Sequence, residues 1–441
     1  MGRPSAPPIN TLPPDILVQI FYEICSPHPC PAATEYQLRI SRRPFLKDPV
    51  ILTHVCSYWR WVAINSATLW SHIDLFPDQF RDPSLTARLY AYLTRSGQAL
   101  LDVHIIQKRN SLQAPFGSLP ADNDVSHFLA TAAPRMKRIT LTAASGPSRG
   151  KFCNAVLAAC FVNFTPGVLK DVSISADVTP KETPEAFWSS VTVLRLQDYH
   201  PEWSSKAYHR LTELRLNGKT AISYSRLASI LELSPKLRVL ELGIRLRGSS
   251  FAPSPPVRLE ELEILVLKSI SEICLGSLLR FIAPGQRPLS LSISDPFCGP
   301  SIPARSEIEN FVARSNVTQL CAHEFDDYLQ LAEVLGLMPT VRTLALSDFR
   351  CGNMEDKPDA PNFTLDALYI LRSGQGATLP WCNVEKFVKR HGVQKLTLWK
   401  YDFEQCKPNK VGEALPDAYA KTCPVVDIVS EKESNPIQVW C

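Results

Sequence analysis

Long apolar runs are missing from this 441-residue sequence. The best stretch, residues 152–164, is short and interrupted by Asn154 and Asn163, well under the roughly 18 residues of a membrane-spanning helix. No membrane partner is expected. Charge of one sign is scarce too: 47 basic against 43 acidic residues leave a formal +4, which makes no case for nucleic acid. Glycine is sparse, 18 residues against 37 prolines, so the chain is punctuated by fixed breaks rather than flexible linkers. Thirteen cysteines, an odd and scattered number, do not make a disulfide framework and read as reduced thiols. With no apolar signal core in MGRPSAPPIN, the expected location is cytoplasmic and/or nuclear. The nine histidines include no H-E-x-x-H, and neither a P-loop nor a dinucleotide glycine fingerprint occurs. Cys25, His28 and Cys30 are too few to hold zinc without a second ligand pair. No cofactor, metal or catalytic residue is expected.

What is there belongs to a folded chain. A content of 45% hydrophobic and 20% charged residues excludes global disorder, and the length suits two to four domains or one extended array. Residues 1–8 are expected to be disordered. A first helix is predicted from Leu12-Pro13-Pro14-Asp15, with prolines in the first turn and Asp15 where the helix dipole favours an anion. Leu12, Ile16, Ile20 and Ile24 recur every four residues, and the helix should end near Ser26-Pro27. A loop over residues 26–48 follows. A second helix is then predicted, capped by Asp48 and opened by Pro49, with one apolar face of Ile51, Leu52, Val55, Cys56, Trp59, Val62 and Ala63. Asn65-Ser66 breaks it, and Ser66 is placed to cap a short turn carrying Leu69 and Trp70. Three of the chain's eight tryptophans (Trp59, Trp61, Trp70) fall here, more than a small core needs, so part of this surface should meet a partner.

The strings LPPDILVQIF and LTHVCSYWRWVAINSATLW resemble the F-box family: a Leu-Pro-x-acid-Ile-Leu opening, a Val-Cys-x-x-Trp centre and a Leu-Trp close. The longer loop is similar to the expanded F-box families of mushroom-forming fungi. The resemblance implies a small helical module, residues 9–75, that docks on a Skp-family adaptor and through it on a cullin. Its characteristic positions fall on Leu12, Pro13, Ile16, Ile20, Leu52, Val55, Cys56, Trp59, Leu69 and Trp70. Asp15 stands where Glu is commoner.

Beyond residue 76 one pattern recurs: apolar, two residues, apolar, one residue, apolar. Its middle position gives Ile139, Val172, Leu194, Leu214, Leu240, Leu265, Leu291, Leu320, Leu344, Leu368 and Leu396, with a weaker copy, LLDVHI, at residue 100. Successive gaps of 33, 22, 20, 26, 25, 26, 29, 24, 24 and 28 fall mostly in the leucine-rich-repeat range. Pro134, Pro235 and Pro339 each stand five residues before a marker, behind a helical apolar set, so these units read helix, proline break, strand. The fold class expected is a small helical module followed by an α/β, irregular leucine-rich-repeat solenoid over residues 76–403, with residues 404–441 as cap or tail. An ordinary α/β domain with a doubly wound parallel sheet is the competing architecture.

Strand alternation puts the residue after each marker on the inner face: Arg195, Arg215, Glu241, Val266, Ser292, Cys321, Ala345, Tyr369 and Thr397. That row is the candidate substrate face. Gly146-Pro147-Ser148-Arg149-Gly150 matches G-x-S-x-G, which keeps a serine hydrolase using Ser148 as a remote alternative, although Pro147 is awkward in a strained turn. The expectation is therefore a non-enzymatic substrate receptor of a Skp–cullin–F-box ubiquitin ligase that binds a protein substrate. A scaffold that binds the adaptor without a role in degradation is the alternative.

Overall fold

The computed structural model describes residues 9–25, 49–107, 121–143, 147–177, 184–247, 256–268, 270, 272–294, 302–323, 325, 328–349, 364–372, 381–400, 423–429 and 435–437. Segment 1–8, loop 26–48 with His28 and Cys30, and much of 404–441 lie outside the described residues. The chain divides into two compact units, Met1–Ala207 and Tyr208–Cys441, a division that falls inside the span read from sequence as one array.

The first unit opens with α1 (Pro14–Cys25), α2 (Pro49–Leu52), α3 (Ser57–Asn65) and a 3-10 turn, Ala67–Trp70. The single helix expected after Asp48 is two helices. Val50, Ile51, Thr53 and Val55 are β-branched and pack poorly along a helix. Thr53 donates its hydroxyl to Val50 O (2.7 Å), and its own carbonyl is taken by Arg60 Nε (2.7 Å). Cys56 turns extended, and its sulfur accepts the Trp59 N–H, capping α3. Ser66 donates to Val62 O (2.6 Å) instead of capping the 3-10 turn. Leu17, Phe21, Leu52, Val62, Ala63, Leu69 and Trp70 close into one buried cluster. Trp70 hands its indole N–H to Ala63 O (2.7 Å) and lies edge-on to Tyr92 at 5.0 Å, with Arg95 4.4 Å over its ring.

Next come β1 (His72–Leu75), α4 (Pro83–Arg95), β2 (Leu101–Gln107), α5 (Ala121–Ala132), β3 (Met136–Ala143), α6 (Pro147–Asn163), β4 (Asp171–Ser175), α7 (Glu185–Trp188) and β5 (Val193–Gln197). Each of these five strands pairs in parallel with the next, and Ile73, Val103, Ile139, Val172 and Leu194 stand opposite one another. All five are at most 1% exposed.

The second unit repeats the scheme. It holds β6 (Glu213–Ser223), α8 (Tyr224–Glu232), β7 (Val239–Arg247), β8 (Val257–Leu259), β9 (Ile264–Leu267), α9 (Glu272–Phe281), β10 (Ile282–Pro284), β11 (Pro288–Ser294) and α10 (Ile302–Ala313). It continues with β12 (Asn316–His323), α11 (Tyr328–Gly336), β13 (Thr343–Ser347), β14 (Ala367–Leu371), α12 (Trp381–Arg390), β15 (Lys395–Trp399) and β16 (Val425–Val429). One unbroken ladder runs Leu214, Leu240, Leu265, Leu291, Leu320, Leu344, Leu368, Leu396, Val426. β8 and β10 form a separate parallel pair. β16 falls in the region expected to be cap or tail and adds an edge strand.

Within each unit the principal strands follow sequence order without reversal. A doubly wound sheet reverses at a switch point, so that alternative is excluded and the arrangement is solenoid-like. The chain leaves the sheet at a fixed step: Asp198, Asp348 and Lys400 each stand four residues past a marker, at φ of 59°, 53° and 55°. No helix among the described residues is long and apolar enough to cross a membrane.

Because Leu320 is fully buried between Leu291 and Leu344, Leu320→Ala should cost about 2–5 kcal/mol by denaturant unfolding. A loss below about 0.5 kcal/mol would contradict a packed ladder.

Candidate functional site

The helical module has two apolar surfaces. Leu17 and Phe21 point inward from α1, and the Phe21 ring meets Trp59 at 4.8 Å. On the same helix Ile16 and Ile24 are 50% and 49% exposed, with Ile20 half-buried between them at the same four-residue spacing. Ile9, Tyr22, Ile51, Val55, Trp61 and Ile64 are exposed as well. Eight of the thirteen exposed large apolar side chains among the described residues thus fall in residues 9–64, a density that solvent does not explain.

The expected docking residues separate accordingly. Pro13, Ile16 and Val55 are exposed; Leu12, Ile20, Cys56 and Trp59 are half-buried; Leu52, Leu69 and Trp70 belong to the core. Trp61, Ile51 and Ile64 were not singled out as docking residues, although the tryptophan surplus included Trp61 and pointed at the helix it shares with Ile64.

The inner row has the predicted register. Arg215, Glu241, Val266, Ser292, Cys321, Ala345, Tyr369 and Thr397 stand opposite one another in turn, and in the first unit Arg195 stands opposite Ser173. Its accessibility is lower than alternation alone suggests. Glu241, Val266, Ser292, Cys321, Ala345 and Thr397 are buried, while Arg195, Arg215 and Tyr369 are half-buried. Part of the cause is overlying chain. Ile437, 4% exposed, packs with Cys321, Ala345, Leu371 and Trp399 and covers part of this stretch of the face. Cys321 is also disulfide-bonded, a departure from the all-thiol expectation; Cys25, Cys56, Cys153, Cys160, Cys274 and Cys423 are free.

At the other end of the second unit's row the face is charged. Glu241 accepts from Arg215 (2.6 Å), Lys268 (2.7 Å) and Asn217 (2.8 Å). Burial pushes its pKa up, but the Lys268 and Arg215 charges and the hydrogen bonds outweigh burial and hold it below the usual carboxylate value. Gly243 makes room for this group, since a Cβ there would collide with Asn217 Oδ1. In the first unit Asp171 accepts from Arg138 and Arg195, both at 2.9 Å.

His323 Nε2 stands 2.9 Å from Ser292 Oγ and 3.4 Å from Cys321 Sγ. The pair has the spacing of a nucleophile and its base, yet Ser292 is fully buried and not placed to meet a substrate. Ser148 lies in the first turn of α6, which follows β3 as the motif requires; its side chain is outside the described set.

No model of a known family matches the sequence, and no curated protein matches it. Among solved structures, the crystal structure of the Rad7 and Elc1 complex in yeast overlaps 81% of this chain and 76% of the other, at 10% identity and a TM-score of 0.32. An overlap that loose bears on neither fold nor function.

Burial, and then the Lys268 charge, push the His323 pKa down to about 4, against weaker opposition from Asp348 and Glu241. Above its ordinary value of 6.5 the group is neutral in folded and unfolded chains alike. Between 6.5 and about 4 only the unfolded chain binds the proton, so stability falls with pH by up to about 3 kcal/mol. His323→Gln should flatten the stability profile over that window in pH-dependent urea unfolding; a profile as steep as the parent's would refute the assignment.

Proposed function

We propose that this chain is the substrate-receptor subunit of a Skp–cullin–F-box type ubiquitin ligase. The observation that carries the reading is the apolar stripe Ile16, Ile20, Ile24 on α1, which runs beside the core stripe and leaves Ile16 and Ile24 exposed about a half-buried Ile20. A helix with a second apolar stripe of this kind is built to be shared with another protein. With the F-box-like motif residues in the same module, the occupant proposed is a Skp-family adaptor. The leucine-rich-repeat-like units would then hold a protein substrate. Arg195, Arg215 and Tyr369 are the members of the inner row with side chains still reachable. The chain's contribution would be proximity, turning an encounter in solution into a reaction between held partners. No chemistry of its own is assigned to it.

The stripe also makes a cleaner test than the motif's most conspicuous residues. Leu12 and Trp59 pack against the module's core, so their truncation would disturb folding along with binding. Ile16→Glu combined with Ile24→Glu changes only exposed side chains. Binding to purified Skp-family adaptor, followed by calorimetry, should weaken by about 30-fold or more, corresponding to about 2 kcal/mol, with unchanged circular dichroism. Binding at the parent's affinity would sink the proposal.

A further inference from the structure

A cluster that the docking reading does not use lies at the start of the first unit's sheet. β1 carries His72 and Asp74, β2 carries Asp102 and His104, and the parallel register sets His72 opposite Asp102 and Asp74 opposite His104. The four side chains form a closed quadrilateral. Asp74 Oδ1 lies 3.2 Å from His72 Nε2 and 3.6 Å from His104 Nδ1. Asp102 takes the other nitrogen of each ring: Oδ1 is 3.0 Å from His104 Nε2, and Oδ2 is 3.5 Å from His72 Nδ1. The rings meet edge to face at 4.6 Å, and Arg138 donates to Asp102 Oδ2 at 2.9 Å.

Counting protons shows what one pairing of tautomers would leave. Ionised carboxylates only accept, and a neutral imidazole has one N–H. If each ring gives its N–H to Asp102, then His72 Nε2 and His104 Nδ1 both turn lone pairs towards the same oxygen of Asp74. Lone pairs of three ligand atoms converging on one point repel unless a positive charge stands between them.

We propose that His72, Asp74 and His104 bind one divalent transition-metal ion, zinc by preference, with Asp102 orienting both imidazoles from behind. Geometry agrees with that assignment. Tetrahedral zinc with bonds of about 2.0–2.1 Å needs ligand atoms about 3.3 Å apart. The two edges that meet at Asp74 Oδ1 are 3.2 and 3.6 Å, and all three ligand atoms lie within 4.8 Å of one another. Two imidazoles and a carboxylate, without thiolate, suit zinc over calcium or magnesium. A carboxylate receiving the second N–H of each ligating histidine is the usual support for such a site, and Arg138 anchors it here. His104 is 4% exposed at its side chain while His72 and Asp74 are at 24% and 28%, so the site has a rigid floor and an open side where water can complete the coordination. The bound ion would clamp β1 to β2 directly after the Trp70 turn.

The test uses the full chain stripped with chelator and then titrated with Zn2+ or Co2+ alone. One zinc per chain should be retained after gel filtration. Cobalt should give visible bands of a tetrahedral nitrogen and oxygen site, without sulfur charge transfer. Asp74→Asn and His104→Gln should each weaken zinc binding by at least about 10–100-fold. If the buried His104→Gln variant does not fold, the partly exposed Asp74→Asn decides. Failure of the parent to retain stoichiometric zinc, thiolate bands with cobalt, or parental affinity in Asp74→Asn would each overturn the site.

Discussion

A strand of four or five residues cannot bury its own apolar side chains. Everything else here depends on stacking one such strand on the next. The central leucine of each repeat is covered only when the repeats before and after supply matching residues, and the ladder from Leu214 to Val426 is that requirement met over nine strands. Parallel pairing follows, because each strand must be re-entered from the same end. The helices, the proline breaks and the left-handed residues at Asp198, Asp348 and Lys400 bring the chain back to that end. The Leu320 substitution probes this requirement in the middle of the array.

Polar groups on the inner face obey a second constraint, imposed by the first. Stacked repeats bring side chains of one row within reach of each other whatever their charge, so like charges must alternate with opposites or be neutralised. In the first unit, His72, Asp102, Arg138 and Asp171 stand opposite one another in turn. In the second, Glu241 is held between Arg215 and Lys268, while the far end of the face is apolar and covered by Ile437. The quadrilateral at His72 and His104 is where this alternation leaves three ligand atoms pointed at one place.

The ladder was legible because its signal is local: an apolar spacing within six residues, repeated often enough to set the register. Each marker read from the sequence stands opposite its predecessor in its own unit, and the weak copy at residue 100 is β2. What escaped depended on contacts distant in sequence. The packing of Ile437 on Cys321 and Ala345 is one that no period predicts. The break at Thr53–Cys56 needed the Arg60 side chain to capture the Thr53 carbonyl. The mirrored triplets His-Ile-Asp at 72 and Asp-Val-His at 102 are visible in the sequence, but they converge only once the pairing of β1 with β2 is known. The helical module was partly legible: the structure separates the motif residues into those that hold the module together and those it shows outward.

The account thus assigns two tasks to two kinds of apolar surface, one satisfied by the next repeat and one left for another chain. Hydrogen–deuterium exchange of the full chain, with and without purified Skp-family adaptor, measures that division directly. The account predicts added protection in residues 14–25 and 49–65 on adaptor binding, with the interior strands β9, β11, β12 and β13 already slow and unchanged. Equal exchange of the helical module with and without the adaptor would contradict it.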